Sequence, residues 1–287
     1  MEIIVGKTAG FCYGVKRAVE GSQALVNKKE QIYCLGELVH NKQVVSELQE
    51  KGIKFVEDIN DVHNNSKLII RAHGVPKEVY EIAKNKNIEL VDYTCPNVLK
   101  IHEIAKKYYN DGSYIILTGK ATHPEVIGIK SYAGDMISII ESPEEVEKAL
   151  NEFEEKNINK LLLISQTTFN TQKFEIIKDC IEQKIQNNIE LIINNTICAA
   201  TEIRQKEIEK MSLEVDKMII IGGKNSSNTK KLYEIASKNC KDTILIETKD
   251  ELDGINFNSI NKVGIMAGAS TPQNAIDDVI EYLNQLQ

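Results

Sequence analysis

The sequence predicts an α/β fold of repeated strand–loop–helix units with mostly parallel sheet. Two observations predict it. Eight short runs, almost uninterrupted in Ile, Val and Leu, are spread along the 287 residues; runs that do not alternate suit strands buried on both faces of a parallel sheet. Between them, apolar residues recur at helical spacing, as covering helices require.

In order, the runs are EIIV (2–5), QIYCLG (31–36), KLIIRA (67–72), SYIILTG (113–119), KLLLIS (160–165), IELIIN (189–194), DKMIIIGG (216–223) and KVGIMAG (262–268). The helical signal is clearest over 172–185, where Phe174, Ile177, Ile181 and Ile185 fall at i+3 and i+4 on one stripe. No low-complexity linker, charged tail or fixed-period repeat divides the chain. What recurs is the strand–polar loop–helix device itself, and residue pattern alone marks no sharp domain boundary.

Composition narrows the function classes. Hydrophobic residues make up 42% and charged residues 27%, ordinary for a globular protein and far from a disordered one. With 35 Lys and Arg against 42 Asp and Glu, the formal charge is −7, so a groove lined by Lys and Arg for nucleic acid is not expected. No apolar run approaches the roughly 20 residues of a membrane span. The start, MEIIVGKTAG, is acidic at its second residue and soon polar, unlike a secretory signal. The expectation is a soluble cytoplasmic protein.

Six cysteines, Cys12, Cys34, Cys95, Cys180, Cys198 and Cys240, are too sparse for a disulfide scaffold, and none pair as CxxC. Ligands of parallel sheets bind where strands end and helices begin, and three cysteines fall at such junctions: AGFCYGVKRA (Cys12), VDYTCPNVLKIH (Cys95) and NNTICAATEIRQ (Cys198). Pro96 suits a first helical position, which places Cys95 near the N-cap. A thiol there has a lowered pKa, and thiolates bind metals. The other three read as small buried hydrophobes: Cys34 within a strand, Cys180 on the apolar stripe beside Ile177 and Ile181, and Cys240 between a helix and a strand.

Three histidines share this kind of position: His40 in GELVHNKQVV, His73 in IIRAHGVPKE and His123 in GKATHPEVIG. Together they suggest an anion site, where imidazolium and backbone N–H groups supply positive potential. His63, in a polar connection, and His102, in a predicted helix, read as solvated or packing residues. GGKNSSNTKKL adds Ser226, Ser227 and Asn228, and MAGASTPQNA adds Ser270; helix capping alone would explain each. A Walker loop is excluded because Met218 stands where its first glycine belongs, and no strand leads into GxGxxG.

Glu125 follows His123 by two, just inside a helix begun by Pro124. The helix dipole would depress its pKa, whereas burial beside an anion would raise it toward that of a proton donor. LLLISQTTFN adds Gln166, Thr167 and Thr168, which could orient a hydroxyl or cap the next helix.

Three thiolates without a fourth leave two metal readings. They could hold zinc with a histidine or water, though HPE at 123–125 lacks the accompanying C-x-x-C. Alternatively they hold three irons of a [4Fe–4S] cluster and leave the fourth open to a substrate oxygen.

AGFCYGVKRA, VHN, RAHGV, TCP, THPEV, SQTT, TICAATEIRQ, GGKNSSNTKKL and AGASTP, in that order from residue 9 to residue 272, resemble the LytB family of 4-hydroxy-3-methylbut-2-enyl diphosphate reductases. The resemblance implies three small αβ domains around a pseudo-threefold axis, here 14–95, 96–194, and 1–13 with 195–287. It implies a central [4Fe–4S] cluster on Cys12, Cys95 and Cys198, one iron not ligated by cysteine. His40, His73, His123, Ser226, Ser227, Asn228 and Ser270 would hold the diphosphate, Glu125 would deliver protons, and Thr167 would bond near the substrate hydroxyl. The implied activity is reductive dehydroxylation of 4-hydroxy-3-methylbut-2-enyl diphosphate to isopentenyl and dimethylallyl diphosphate, the last step of the methylerythritol phosphate (non-mevalonate) pathway. Ferredoxin or flavodoxin would be the one-electron donor. Two flanking positions depart from the family's usual residues: Tyr93 before TCP, and Asn195 before TIC, which is expected to alter packing behind Cys198.

Overall fold

The structure, a computed structural model, describes residues 1–26 and 31–286. From the amino terminus run β1 (Glu2–Val5), α1 (Tyr13–Leu25), β2 (Ile32–Leu35), α2 (Lys42–Glu50), β3 (Ile53–Val56), β4 (Lys67–Ile70), α3 (Lys77–Asn85) and β5 (Glu89–Asp92). Next come α4 (Pro96–Asn110), β6 (Tyr114–Thr118), α5 (Pro124–Ala133), β7 (Ile137–Ile140), α6 (Val146–Glu154), β8 (Lys160–Ser165), α7 (Thr171–Lys184) and β9 (Glu190–Ile193). The chain closes with α8 (Ala199–Met211), β10 (Lys217–Ile221), α9 (Ser227–Asn239), β11 (Thr243–Ile246), β12 (Lys262–Ala267) and α10 (Gln273–Gln285).

These residues form two compact units: Met1–Glu20, Val39–Lys51 and Ala199–Gln287 make one, and Gly21–Leu38 with Gly52–Cys198 the other. The first holds a four-stranded sheet in the order β1-β12-β10-β11, the second holds β3-β2-β4-β5 and β7-β6-β8-β9. Every strand pair is parallel. Within each sheet, therefore, all strands end on the same edge, and the site residues are gathered along those edges.

The unalternating runs have the expected cause. In β10, Ile219 and Ile221 pack with Ile276, Val279 and Leu283 of α10, while Met218 and Ile220 pack with Ile208 of α8 and Leu232 of α9. In the sheet holding β6 and β8, Ile116, Leu161 and Leu163 meet Phe174, Ile177 and Ile181 of α7. Ile115, Leu117, Leu162 and Ile164 face Ile101 of α4 and Ile129 of α5. Successive side chains point to opposite faces and each face is covered by helices, so both must be apolar.

All eight apolar runs are strands. Four more strands are present among the described residues: β11, the one that follows Cys240, and β3, β5 and β7, which no run announced. All four lie at sheet edges. Their sequences, IKFV, ELVD, ISII and TILI, are short and only partly buried, so their apolar signal is weak. No helix among the described residues is long and apolar enough to cross a membrane.

Candidate active site

In the first unit, Cys12 sits between the end of β1 and the start of α1, and its amide donates to the Ala269 carbonyl (3.1 Å) in the loop after β12. The segment leading to Cys12 is clamped from α8. Buried Arg204 donates through Nε to the Thr8 carbonyl and through a terminal nitrogen to the Gly10 carbonyl, both at 2.7 Å. Glu207, one turn on, accepts from the Lys7 amide (2.6 Å), the Thr8 amide (3.0 Å) and the Thr8 hydroxyl.

The same strand edge assembles the polar loops of this unit. Ser270 Oγ donates to the His40 carbonyl at 3.1 Å. A Cβ on Gly223 would stand 2.4 Å from that carbonyl oxygen, so only glycine lets the loop after β10 lie against it. Ser226 is the N-cap of α9, accepting from the Thr229 amide (3.4 Å), and Ser227 and Asn228 form the first turn. Capping thus accounts for Ser226. It does not account for buried Asn228, whose Nδ2 has no hydrogen-bond partner among the described residues, nor for Ser270, which caps nothing: α10 is preceded by Pro272 without a side-chain cap.

In the second unit, contacts link six of the expected residues. The His73 and His123 rings meet edge to face with centroids 5.3 Å apart. His123 is the N-cap of α5, its Nδ1 accepting from the Glu125 amide (3.2 Å), and Pro124 takes the first helical position. Glu125 is buried; its carboxylate accepts from the Thr167 amide (2.7 Å) and hydroxyl (2.8 Å). The Thr167 carbonyl in turn accepts from the Cys198 amide at 3.0 Å. Asn97 Nδ2 donates to Cys198 Sγ at 3.0 Å, and Asn97 lies in the first turn of α4, whose N-cap is Cys95. The circuit closes where the Cys95 amide donates to the carbonyl of Ala72, beside His73 (3.0 Å).

Electrostatics separates the groups by role. Burial pushes the Glu125 carboxyl up to about 7, against the two Thr167 bonds that pull it down. The dipole-lowered alternative therefore loses. Burial also pushes the Cys34 thiol up to about 12, with the Arg71 charge opposing, as fits an inert core cysteine. Cys12, Cys95 and Cys198 are half-buried and in no disulfide, whereas Cys34 and Cys240 are buried. Cys180 departs from expectation: it is only half-buried, at the margin of the α6–α7 core. His102, by contrast, is fully packed, and His63 is exposed with its ring edge-on to Tyr33.

Neither Gln166 nor Thr168 caps α7; Asn170 does, accepting from the Lys173 amide (2.8 Å). Asn195 Oδ1 accepts from the Ile197 amide (3.0 Å), an Asx turn in the loop before Cys198. Tyr93 lies over Gly21 of α1, where a Cβ would stand 2.5 Å from the phenol ring. Arg204, Glu207 and Asn97 carried no expectation from sequence. Charged helical residues read as solvent-facing until the fold shows one of them buried against a loop nearly 200 positions away.

Fold and site together define a class: a parallel α/β protein whose strand-to-helix loops present thiols, imidazoles and one protonatable carboxyl. The model of the LytB protein family matches residues 3–284, and the chain belongs to that family. It is 43% identical over 290 residues to the 4-hydroxy-3-methylbut-2-enyl diphosphate reductase of Clostridioides difficile (strain 630), covering 100% of both chains. Among solved structures it is similar to a reductase of (E)-4-hydroxy-3-methyl-but-2-enyl diphosphate, described as the terminal enzyme of the non-mevalonate pathway. That match has 36% identity and a TM-score of 0.70, covering 99% of this chain and 100% of the other. The corresponding E-1-hydroxy-2-methyl-but-2-enyl-4-diphosphate reductase of Plasmodium falciparum matches at 32% identity and a TM-score of 0.88, covering 99% and 87%.

Proposed function

We propose that this protein is a reductive dehydroxylase that converts 4-hydroxy-3-methylbut-2-enyl diphosphate to isopentenyl and dimethylallyl diphosphate. The reaction consumes two electrons and two protons and releases the hydroxyl as water. The observation that carries this reading is Glu125: a buried carboxyl, protonated near neutrality, tied through Thr167 to the backbone of Cys198. A phosphate-binding or sensor protein needs thiolates and helix N-termini but no proton donor placed there.

The donor set fits an iron–sulfur group: three half-buried cysteines, none in a disulfide, at strand-to-helix junctions, one of them with an amide N–H aimed at its sulfur. Cys12, Cys95 and Cys198 would hold a [4Fe–4S] cluster with one iron not ligated by cysteine. When bound, such a cluster supplies electrons one at a time and an open Lewis-acid position.

The remaining roles belong to the chain. His40, His73, His123, Ser226, Ser227, Asn228 and Ser270 would bind and orient the diphosphate, whose charge suits imidazoles and the N-termini of α5 and α9. Asn228 Nδ2, buried and without a hydrogen-bond partner among the described residues, is a donor available for that purpose. Glu125 would hold the proton and pass it toward the departing hydroxyl, and Thr167 would fix the carboxyl's orientation. A ferredoxin or flavodoxin fits as donor, and the divisions 14–95, 96–194, and 1–13 with 195–287 stand as the domains of this reading.

The test is oxygen-free purification, metal and sulfide analysis, then turnover with a reduced one-electron donor. The expected result is about four irons with matching sulfide and release of both isomeric diphosphates. Zinc without sulfide, or an iron-loaded protein that leaves the substrate unchanged, would overturn the proposal.

A further inference from the structure

His102 lies on α4, two turns beyond Cys95, and is 2% exposed. Neither ring nitrogen has a hydrogen-bond partner among the described residues. Buried polar groups are nearly always paired, so an unpaired imidazole calls for an explanation that a phenyl or isobutyl group in its place would not. Burial holds its pKa down at about 4, with Asp92 opposing, so the ring is neutral.

The packing around the ring supplies the explanation. One face stacks on Tyr132 of α5, with centroids 4.7 Å apart and planes at 25°. Its Cε1–Nε2 edge is met by two glycines. A Cβ on Gly74 would stand 2.9 Å from Cε1, and one on Gly128 would stand 3.2 Å from Nε2. Gly74 has φ +73° and directly follows His73; Gly128 lies three residues past Glu125 in α5. A thin, flat ring therefore fills a slot that two backbone segments leave open by lacking side chains.

We propose that His102 is a positioning residue, the spacer that sets the His73 loop and the Glu125 helix against the helix headed by Cys95. The 5.3 Å approach of His73 to His123 depends on the separation of that loop from α5, and the ring lies between them. This inference rests on the dehydroxylase reading for its consequence, diphosphate binding, but its geometric content is independent of it.

Two variants approach the slot from opposite sides: His102→Phe enlarges the ring, and Gly128→Ala narrows the space. The first measurement is nitrogen-15 histidine spectroscopy, tractable with five histidines in the chain. Both variants should move the His73 and His123 ring signals while His63 stays fixed. The second is the affinity of iron-loaded protein for inorganic diphosphate, expected to fall about tenfold or more with iron content and melting temperature near those of the parent. Gly128→Ala combined with His102→Ser should recover part of that loss, because the smaller side chain relieves the contact. Unmoved His73 and His123 signals in both variants would overturn the proposal. So would an affinity that falls only in step with melting temperature. A parent that binds no inorganic diphosphate would instead overturn the functional reading, leaving the spectroscopic measurement to decide the role of His102.

Discussion

Thr167 donates twice to Glu125, its amide at 2.7 Å and its hydroxyl at 2.8 Å, one bond to each carboxylate oxygen. Both bonds favour the ionised acid, yet burial prevails and leaves the carboxyl titrating at about 7. The pair thus holds a carboxyl in one orientation and keeps its pKa within reach of neutrality, where proton transfer is most effective. Glu125→Gln preserves shape and removes the transferable proton. Turnover should fall about 10²- to 10⁴-fold, with iron content and inorganic diphosphate binding retained. Near-normal turnover of this variant would take Glu125 out of the mechanism.

The same shift makes a stability prediction. Below pH 4.5, Glu125 is protonated in both folded and unfolded chains. Between 4.5 and about 7 the unfolded chain gives up its proton while the folded one keeps it, so stability falls as pH rises; above 7 the loss is complete. Its size is on the order of 3 kcal/mol. Melting curves of the parent and of Glu125→Gln should therefore converge near pH 4.5, and the variant should gain relative to the parent up to pH 7. A constant offset across that range would show that Glu125 does not titrate as its burial requires.

The core strands and the site loops were legible in the sequence for one physical reason: each leaves a local pattern. Central strands such as β8, with LLLI, and β10, with MIII, are apolar at successive positions because both faces are covered. Loop residues such as Cys95 and His123 stand out against flanking apolar runs, and the prolines after them mark helix starts. What leaves no local pattern was missed. ELVD and ISII are half-covered edge strands, and Arg204 looks like any helical arginine until it is found buried against Thr8 and Gly10. For Glu125 the sequence gives two opposing influences, helix dipole and burial, whose balance depends on packing.

Cysteine substitutions divide the six thiols. Cys12→Ser, Cys95→Ser and Cys198→Ser should each lose most of the iron and sulfide, since the proposed cluster, already short of one cysteine, would tolerate no further loss. Cys34→Ala, Cys180→Ala and Cys240→Ala should keep full iron content. Cys34→Ala, at a fully buried position, should lower stability by about 1 kcal/mol, while half-buried Cys180 should cost less. Iron analysis of the six variants, purified without oxygen, checks both halves. Loss of iron in the second group would mean that other cysteines bind it.

Arg204 offers the sharpest test of how the Cys12 segment is held. Its guanidinium bridges the carbonyls of Thr8 and Gly10, a geometry for which a planar fork of donors is suited and a lysine ammonium is not. Arg204→Met leaves both acceptors without that donor, at a cost of about 1–3 kcal/mol for each one left unsatisfied. Glu207 still accepts from the Lys7 and Thr8 amides, so the segment should loosen locally rather than detach. Amide hydrogen exchange should accelerate at residues 8–12 and stay unchanged in β12 and α10, whose core does not include Arg204. Arg204→Lys should fall between parent and Met variant. If exchange at 8–12 is unaltered in the Met variant, the clamp does not hold this loop, and the Cys12 segment is held by its contact with the Ala269 carbonyl instead.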